Sequence, residues 1–162
     1  MTMKLAFEHQ DYTVRQLSAD DWQAYKDFAY RVGEDSPEMF ANWQDPDDPH
    51  SWKAVLEPKE EDTVFGLIRA DKIMGVAHVV IRDKVAVFGG ICIDPSCQKM
   101  GLADCLHDIR RRYLTEIKFS GTVETEILDT NGASLKAAAR NGFSPVGSKT
   151  ESGEGWSVTY IK

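Results

Sequence analysis

Three runs rich in β-branched and aromatic residues occupy the centre of the chain, at residues 62–70, 72–82 and 84–93. Turn-forming residues flank these runs: a tight turn is expected around Ala70 and Asp71, and Pro95 follows the third run. The three runs are therefore predicted to be strands. Residues 12–16 alternate between polar and apolar side chains and predict an opening strand. Residues 122–128, 145–150 and 156–161 predict the last strands, which makes a sheet of about six to seven strands.

The first helix is predicted directly after the opening strand. Residues 18–21, Ser-Ala-Asp-Asp, are typical of an N-cap with an acid three residues on, and the apolar positions that follow at helical spacing are Trp22, Tyr25, Phe28 and Ala29. Gly33 ends this helix, and Pro37 at a first helical position starts a short second one that reaches about Trp43. Residues 44–50 are rich in turn formers, and residues 51–57 predict one or two further helical turns.

Two later helices alternate with the last strands. Residues 101–118 predict an amphipathic helix whose apolar stripe consists of Leu102, Cys105, Leu106, Ile109, Tyr113 and Ile117. The three arginines at 110–112 are expected on its solvated face. Residues 132–141 predict a shorter helix that Asn131 caps and Gly142 ends. Because no repeat, linker or low-complexity tract interrupts this order, residues 1–162 are expected to form one α/β (α+β) domain with a mostly antiparallel sheet.

The composition, 42% hydrophobic and 28% charged, is typical of a soluble globular protein and excludes a disordered, collagen-like or disulfide-scaffold chain. The apolar stretches are too short to span a bilayer, and the first nine residues do not resemble a signal peptide. Three cysteines without a CxxC pair fit a reducing cytoplasm. Neither they nor the four histidines have the spacing of metal ligands, so no metal is expected.

The net charge of -7 argues against nucleic acid or an anionic membrane as a partner. This charge belongs to one segment. Residues 34–62 contain ten acidic and two basic residues, a net charge of -8, whereas the remaining residues contain 16 acidic and 17 basic ones, a net charge of +1. The segment is either a solvated loop region or the frame of a site for a cationic ligand.

Candidate chemistry lies between residues 89 and 103. A strand ends at Pro95, and a helix then begins with the pattern Gln98-x-x-Gly101-x-Ala103. The N–H groups of a first helical turn have no partner within the helix, and with the helix dipole they suit a phosphate. Gly101 and Ala103 lack bulk, so a ligand can approach the backbone. The pattern alone also fits a plain capped helix, but the strand before it and a second strand–Asn–helix–Gly-Phe unit after it favour the anion site.

These two units, in this order, resemble the GNAT acetyltransferase superfamily over nearly the whole chain. Gln98, Gly101 and Ala103 match its acyl-CoA motif, and its second motif is matched by Asn131, Gly142 and Phe143. The resemblance implies a mixed sheet flanked by helices, in which two parallel strands, here 85–93 and 122–128, splay apart to hold acetyl-CoA. It implies an N-acetyltransferase in which a primary amine attacks the thioester directly in a ternary complex.

The resemblance also implies residues that bind acetyl-CoA. The pantetheine arm would pair with the backbone of Ile91, Cys92 and Ile93. The pyrophosphate would lie on the N–H groups from Gln98 or Lys99 through Met100, Gly101 and Leu102 to Ala103. Asn131 would point toward the cofactor arm. Lys99 and Arg140 are candidates for the outer phosphates, with an ordinary surface charge as the alternative for each.

Direct attack requires a base, because a free alkylamine is mostly protonated near neutral pH. Glu126 is the first candidate, since similar enzymes often carry a glutamate there. Glu124, two residues earlier on the same face of the strand, is the second. The alternative for both is that the side chain simply points to solvent at the end of the strand. His78 is a third candidate whose alternative is a structural histidine. Backbone N–H groups near Ile91–Ile93 would stabilise the developing negative charge.

One position departs from the family pattern. Ala138 stands where many members carry a tyrosine that acts as general acid for the departing thiolate. A thiolate with a pKa of about 8.5 can leave without a proton, so activity is still expected. The departure leaves a second interpretation open, a catalytically weak CoA-binding or protein-interaction module of the same fold.

In similar proteins the acceptor pocket is built from the region after the first helix and from the loop between the last strands, here residues 30–52 and 152–156. Phe40, Trp43 and Trp156, together with Asp45, are predicted to bind a cationic amine on a small molecule or peptide, because aromatic faces and carboxylates attract cations. The alternative is that the aromatic residues pack the helices onto the sheet. Dimers are common among similar proteins, so the resemblance also implies a homodimer.

Overall fold

The computed structural model describes residues 5–32, 53, 56–57, 62–98, 101–128, 132–149 and 155–161, of which 126–128, 145–149 and 155–161 are described by their backbone. The strands are β1 (Ala6–His9), β2 (Tyr12–Gln16), β3 (Asp62–Arg69), β4 (Lys72–Arg82), β5 (Val85–Ile93), β6 (Thr122–Leu128), β7 (Ser144–Lys149) and β8 (Gly155–Ile161). The helices are α1 (Trp22–Val32), α2 (Leu102–Glu116) and α3 (Gly132–Arg140). Within these ranges, no helix has the length and apolar character needed to span a membrane.

The eight strands form one sheet in the order β1-β2-β3-β4-β5-β6-β8-β7. The pair β5–β6 is parallel and every other neighbouring pair is antiparallel. This confirms the predicted fold class and adds β1 to the strands expected from the sequence. β1 has four residues, of which Ala6 and Glu8 are exposed and Phe7 is half-buried, so it is too short to give a recognisable pattern.

Turns and caps fix the strand and helix ends where the sequence predicted them. Ala70 and Asp71 both have positive φ angles, 50° and 64°, as a two-residue hairpin turn between β3 and β4 requires. The Asp21 carboxylate accepts a hydrogen bond from the Ser18 N–H at 2.8 Å, which completes a capping box before α1. Gly142, with φ 91°, ends α3 in the left-handed conformation.

Apolar side chains are buried on both faces of the sheet. On one face α2 and α3 cover a larger core, which includes Tyr12, Val14, Phe65, Leu67, Phe88, Leu102, Leu106, Ile109 and Ala138. On the other face α1 covers a smaller core, which includes Leu17, Tyr25, Phe28, Val64, Val76 and Cys92. Ile117, predicted as part of the apolar stripe of α2, is instead 38% exposed, because the helix ends at Glu116 and the chain turns away.

Candidate functional site

The parallel pair β5–β6 opens halfway along its length. Backbone pairing extends over four positions and ends with Phe88 opposite Thr125, and among the described residues no later pair joins the two strands. The Thr125 hydroxyl donates a hydrogen bond to the Phe88 carbonyl oxygen at 2.8 Å, so a side chain binds this main-chain acceptor at the last pair. β5 continues to Ile93 and β6 to Leu128 without further pairing between them in the described residues, and the space between these unpaired strand ends is here called the cleft.

A β-bulge in β5 follows directly after the last pair with β6. Gly89 and Gly90 together face a single residue of β4, His78. A Cβ atom on Gly89 would lie 3.1 Å from the His78 Cβ, so glycine is what allows the close approach. Nη1 of Arg110 donates to both carbonyl oxygens at the bulge, at 3.1 Å to His78 and 2.9 Å to Gly89. A side chain of α2 therefore holds the bulge in place.

The residues of β5 beyond the bulge have one edge on β4 and the other at the cleft. Ile91, Cys92 and Ile93 all pair with β4. Ile91 and Ile93 pack against the larger core, whereas Cys92 is buried in the smaller one. Since the side chains are used in packing, main-chain N–H and C=O groups are what this segment can offer to a ligand. An extended ligand arm can pair with such an edge as an added strand does.

The loop after β5 leads into α2 through specific hydrogen bonds. The Asp94 carboxylate accepts bonds from the Ser96 N–H at 2.9 Å and from the Ser96 hydroxyl at 2.7 Å. Gln98 Nε2 donates to the Ile93 carbonyl oxygen at 3.1 Å and folds the loop back on the strand end.

Gly101 is the N-cap of α2 and adopts the left-handed conformation, with φ 74°. Apart from its chain neighbours, no atom of the described residues lies within 4 Å of the place where its Cβ would be. Leu102 is 1% exposed and anchors the helix start in the larger core, and Ala103 adds little bulk beside it. The Asp104 N–H donates to the Gly101 carbonyl oxygen at 3.2 Å. The space beside Gly101 is open, so a ligand can approach this helix N-terminus, where main-chain N–H groups favour an anion.

An ion pair connects α1 to this loop. Arg31, in the last turn of α1, donates from Nε to the Asp94 carboxylate at 2.6 Å and from Nη2 to the Ile73 carbonyl oxygen at 2.5 Å. Burial alone raises the pKa of Asp94, but the hydrogen bonds from Arg31 and Ser96 outweigh it and hold that pKa below its ordinary value. The end of the helix that precedes the acidic segment is thus fixed to the loop that precedes α2.

Replacing Asp94 with asparagine is expected to destabilise the fold by about 1–2 kcal/mol at neutral pH, with allowance for the partial exposure of Arg31. Because the pKa of Asp94 is lower in the folded state, its stabilisation is complete above the ordinary aspartate pKa and is lost as the pH falls through the folded value. Thermal melts of both proteins from neutral to acidic pH measure this, and their midpoints should converge at low pH. A difference that does not change with pH would contradict the assignment.

The two candidate glutamates occupy different positions relative to the cleft. Glu124 lies opposite Val87 within the closed part of the β5–β6 pair, and its side chain is exposed. Glu126 lies one position beyond the last pair, so its backbone is at the start of the cleft, opposite Ser157 of β8. Its side chain is outside the described part of the structure. The backbone register thus separates two residues that the sequence placed on one face of the strand.

His78, the third candidate, is half-buried on β4 beside the bulge. Burial lowers the pKa of its imidazole and outweighs the opposing effect of the Asp62 charge, and the Arg110 charge adds to the lowering. The ring is therefore neutral at physiological pH. Its Cβ lies close to Gly89, so the histidine backbone is an integral part of the bulge.

The candidate phosphate-binding Arg140 is half-exposed and already has an acidic partner. Its Nη2 lies 3.3 Å from an Asp104 carboxylate oxygen, in the first turn of α2. Asn141 Nδ2 donates to the same oxygen at 2.9 Å, and Arg111 Nη1 donates to the Asn141 side-chain oxygen at 2.9 Å. These contacts hold the end of α3 against the start of α2, where Asp104 lies within one helical turn of Gly101.

Several predicted site residues lie outside the described part of the structure. This applies to the loop residues Lys99 and Met100, to Asn131, and to the acceptor candidates Phe40, Trp43 and Asp45. Trp156 is described by its backbone alone, which pairs with Ile127 of β6 and Lys149 of β7. The roles of these residues stay predictions from the sequence.

A sequence comparison with family models gives a match to the Acetyltransferase (GNAT) family over residues 14–143. The chain belongs to the GNAT acetyltransferase family. A search of curated proteins gave no match. The matched range contains the cleft, the bulge, Gly101 and α3.

Solved GNAT structures share the fold at low sequence identity. The ribosomal-protein-S5-alanine acetyltransferase from Vibrio fischeri has a TM-score of 0.78 at 18% identity, covering 97% of this chain and 96% of its own. The PaiA N-acetyltransferase from Thermoplasma acidophilum, in complex with coenzyme A, has a TM-score of 0.69 at 13% identity, covering 94% of this chain and 100% of its own. An aminoglycoside acetyltransferase from an uncultured soil metagenomic sample, in complex with sisomicin, has a TM-score of 0.68 at 16% identity, covering 86% of this chain and 91% of its own.

Ala138, at the position where the resemblance places a tyrosine in many GNAT members, is 2% exposed. It belongs to the larger core, together with Phe88 and Phe143. The Phe143 N–H donates to the Ala138 carbonyl oxygen at 3.0 Å as part of the helix end. An alanine side chain has no proton to donate, so any assistance to a leaving group in this GNAT chain comes from another residue or from water.

The prediction that residues 110–112 form a solvated face was wrong for Arg110. Its side chain is 1% exposed and lies between α2 and the sheet, whereas Arg111 and Arg112 are partly exposed. The helical spacing contained the signal, because position 110 follows Leu106 by four residues and precedes Tyr113 by three. This places Arg110 in the apolar stripe. The charge of the residue concealed its place in the core of this GNAT domain.

Proposed function

We propose that this chain transfers an acetyl group from acetyl-CoA to a primary amine. The observation that carries the proposal is the opening of β5 from β6 beside the left-handed Gly101 at the start of α2. The opening supplies a cleft with a free strand edge, and the helix start supplies a site for an anion. Acetyl-CoA has both an extended arm and a pyrophosphate, so one ligand would use both features.

The proposed binding groups follow from this geometry. The edge at Ile91, Cys92 and Ile93 would pair with the pantetheine arm. The N–H groups between Gln98 and Ala103 would bind the pyrophosphate, because the space above Gly101 is open. Arg140 would bind an outer phosphate by exchanging its Asp104 partner, and Lys99 and Asn131 are proposed to add to the site.

Glu126 is the proposed base, since its backbone lies at the start of the cleft and Glu124 lies within the closed pair. The carboxylate would accept the proton of the ammonium form, which leaves a neutral amine to attack the thioester carbon. Main-chain N–H groups of β5 after the bulge would stabilise the negative charge that develops on the thioester oxygen. Holding both reactants in one cleft would supply much of the rate.

A cationic amine is the proposed acceptor. The segment 34–62 has a net charge of -8 and follows α1, whose last turn is fixed to the loop before α2 through Arg31 and Asp94. Acidic and aromatic residues there, Phe40, Trp43 and Asp45 among them, would attract a cation. Two of the similar structures are named for an aminoglycoside, sisomicin, and for an alanine of a ribosomal protein, and an amine of either kind is protonated near neutral pH. Cytoplasm is the proposed compartment, because Cys92, Cys97 and Cys105 form no disulfide.

The test measures CoA binding and acetyl transfer on the full chain. CoA and acetyl-CoA are expected to raise the melting temperature, and acetyl-CoA with a cationic amine is expected to release free thiol. The panel of amines contains a polyamine, an aminoglycoside, a peptide with an N-terminal alanine and an amine that also carries a carboxylate. Faster turnover of the carboxylate-bearing amine than of the other three would contradict the cationic acceptor.

The alternative function is a CoA-binding module without significant catalysis, which the buried Ala138 favours. The same experiment separates the two. Stabilisation by CoA without turnover of any amine in the panel would support the binding module, and the absence of any stabilisation by CoA or acetyl-CoA would contradict both functions.

A further inference from the structure

Arg110 is a buried cation directly beneath the point where β5 and β6 separate. Its guanidinium carbon lies 4.2 Å from the centre of the Phe88 ring, and Phe88 is the last residue of β5 that pairs with β6. Nη1 binds the His78 and Gly89 carbonyl oxygens at the bulge. Nη2 lies 3.2 Å from His107 Nδ1.

None of these partners carries a negative charge. Burial, followed by the charge of Arg110, lowers the pKa of His107 to about 3, so the imidazole is neutral and accepts the hydrogen bond at Nδ1. Within the described ranges, Arg110 forms no ion pair, and its buried Nε has no hydrogen-bond partner. Burial lowers the pKa of Arg110 to about 9, which still leaves it charged at neutral pH. An isolated buried charge is costly, and a neighbouring anion offsets that cost.

The bulge gives Arg110 a second effect on the cleft. The peptide between Gly89 and Gly90 is trans, so its C=O and N–H groups point in opposite directions. Because the Gly89 oxygen is bound to Arg110, the Gly90 N–H is directed away from the guanidinium and away from α2. Arg110 thus fixes the orientation of a main-chain donor at the start of the cleft.

We propose that Arg110 is a positioning residue for acetyl transfer, which fixes the Gly89–Gly90 peptide and places a buried positive charge beneath the reacting thioester. This proposal rests on the proposed function. In the reaction, the amine nitrogen forms a bond to the acetyl carbon and its proton passes to the base. The carbon–sulfur bond breaks with its electron pair on sulfur, and water later protonates the thiolate. Ala138 donates no proton to that sulfur, so a buried cation is what lowers the free energy of the departing thiolate.

The decisive measurement is the titration of the CoA thiol bound to the protein, followed by the ultraviolet absorbance of the thiolate. Replacing Arg110 with methionine removes the charge and is expected to raise the pKa of the bound thiol by about one unit and to lower kcat about tenfold. The KM for acetyl-CoA should change less than kcat, because Arg110 lies about 13–14 Å along α2 from Gly101, where the pyrophosphate is proposed to bind. Arg110→Gln removes the charge but keeps an N–H donor, and Arg110→Lys keeps the charge.

Arg112→Met is the matched control, since Arg112 is a half-exposed arginine of the same helix that stacks on Phe7 and pairs with Asp108. It should leave the thiol pKa and kcat within about twofold of the native values. If Arg110→Met does not fold, the thiol pKa is compared between Arg110→Gln and Arg110→Lys. The lysine variant should keep a thiol pKa near the native one, and the glutamine variant should raise it. An unchanged thiol pKa in the neutral variants would overturn the role of Arg110 while leaving the proposed function intact. A native chain that binds no CoA would overturn both.

Discussion

Replacing Glu126 with glutamine is expected to lower kcat/KM for the amine by about 10²–10⁴-fold, the usual contribution of a positioned base. The reason is the register of β6, which places the backbone of Glu126 one position beyond the last pair with β5, at the start of the cleft. Glutamine keeps the size of the side chain and removes the proton acceptor. Initial rates with acetyl-CoA and a reactive amine measure the effect, and the Kd for CoA should stay within about threefold.

Glu124→Gln is the matched control, because Glu124 lies on the same strand but within the closed part of the pair with β5, and its side chain is exposed. A loss of less than about threefold is expected there. The pH profile adds a second readout. If Glu126 is the base, the acidic limb of kcat/KM that reports its ionisation disappears in Glu126→Gln and remains in Glu124→Gln. Equal losses in both variants, or an unchanged profile in Glu126→Gln, would remove Glu126 from the proposed mechanism.

The strands and helices that position the site could be predicted from the sequence where local chemistry determines them. β4 and β6 have the predicted bounds, because dense β-branched residues and flanking turn formers specify a strand with little help from tertiary contacts. The end of α3 at Gly142 is predictable because a left-handed residue there favours glycine. β1 was missed since four residues with two half-buried side chains depend on pairing with β2 rather than on their own pattern.

The cleft itself depends on properties that local patterns do not contain. The sequence placed Glu124 and Glu126 on one strand face, but it could not say that pairing with β5 ends at Phe88 and Thr125 between them. The bulge at Gly89 is likewise a matter of register, since two adjacent glycines fit a turn or a strand equally well. Arg110 was misjudged because a charged residue is normally exposed, and its burial requires acceptors from two strands that the sequence does not show to be adjacent.

Replacing Gly101 with aspartate is expected to weaken CoA binding by about 10²–10³-fold. Gly101 has φ 74°, and the position of its Cβ is open, so a side chain there would project toward the proposed phosphate site without a clash. A carboxylate about 4–6 Å from a pyrophosphate repels it by a few kcal/mol at the effective dielectric constant of a protein surface. Calorimetric titration with CoA measures the loss, and the melting temperature without CoA reports any effect on the fold.

Gly101→Asn separates charge from conformation. Asparagine and aspartate have nearly the same size, and both tolerate the left-handed region better than other side chains, so the backbone strain is matched between the two variants. The asparagine variant should lose about tenfold or less in affinity, since its side chain adds bulk but no charge. The ratio between the two variants should also shrink as salt is raised, because the repulsion is screened at a partly exposed site. Equal affinities for CoA in the two variants would mean that no phosphate group lies near the start of α2, and the pyrophosphate would then have to bind elsewhere along the cleft.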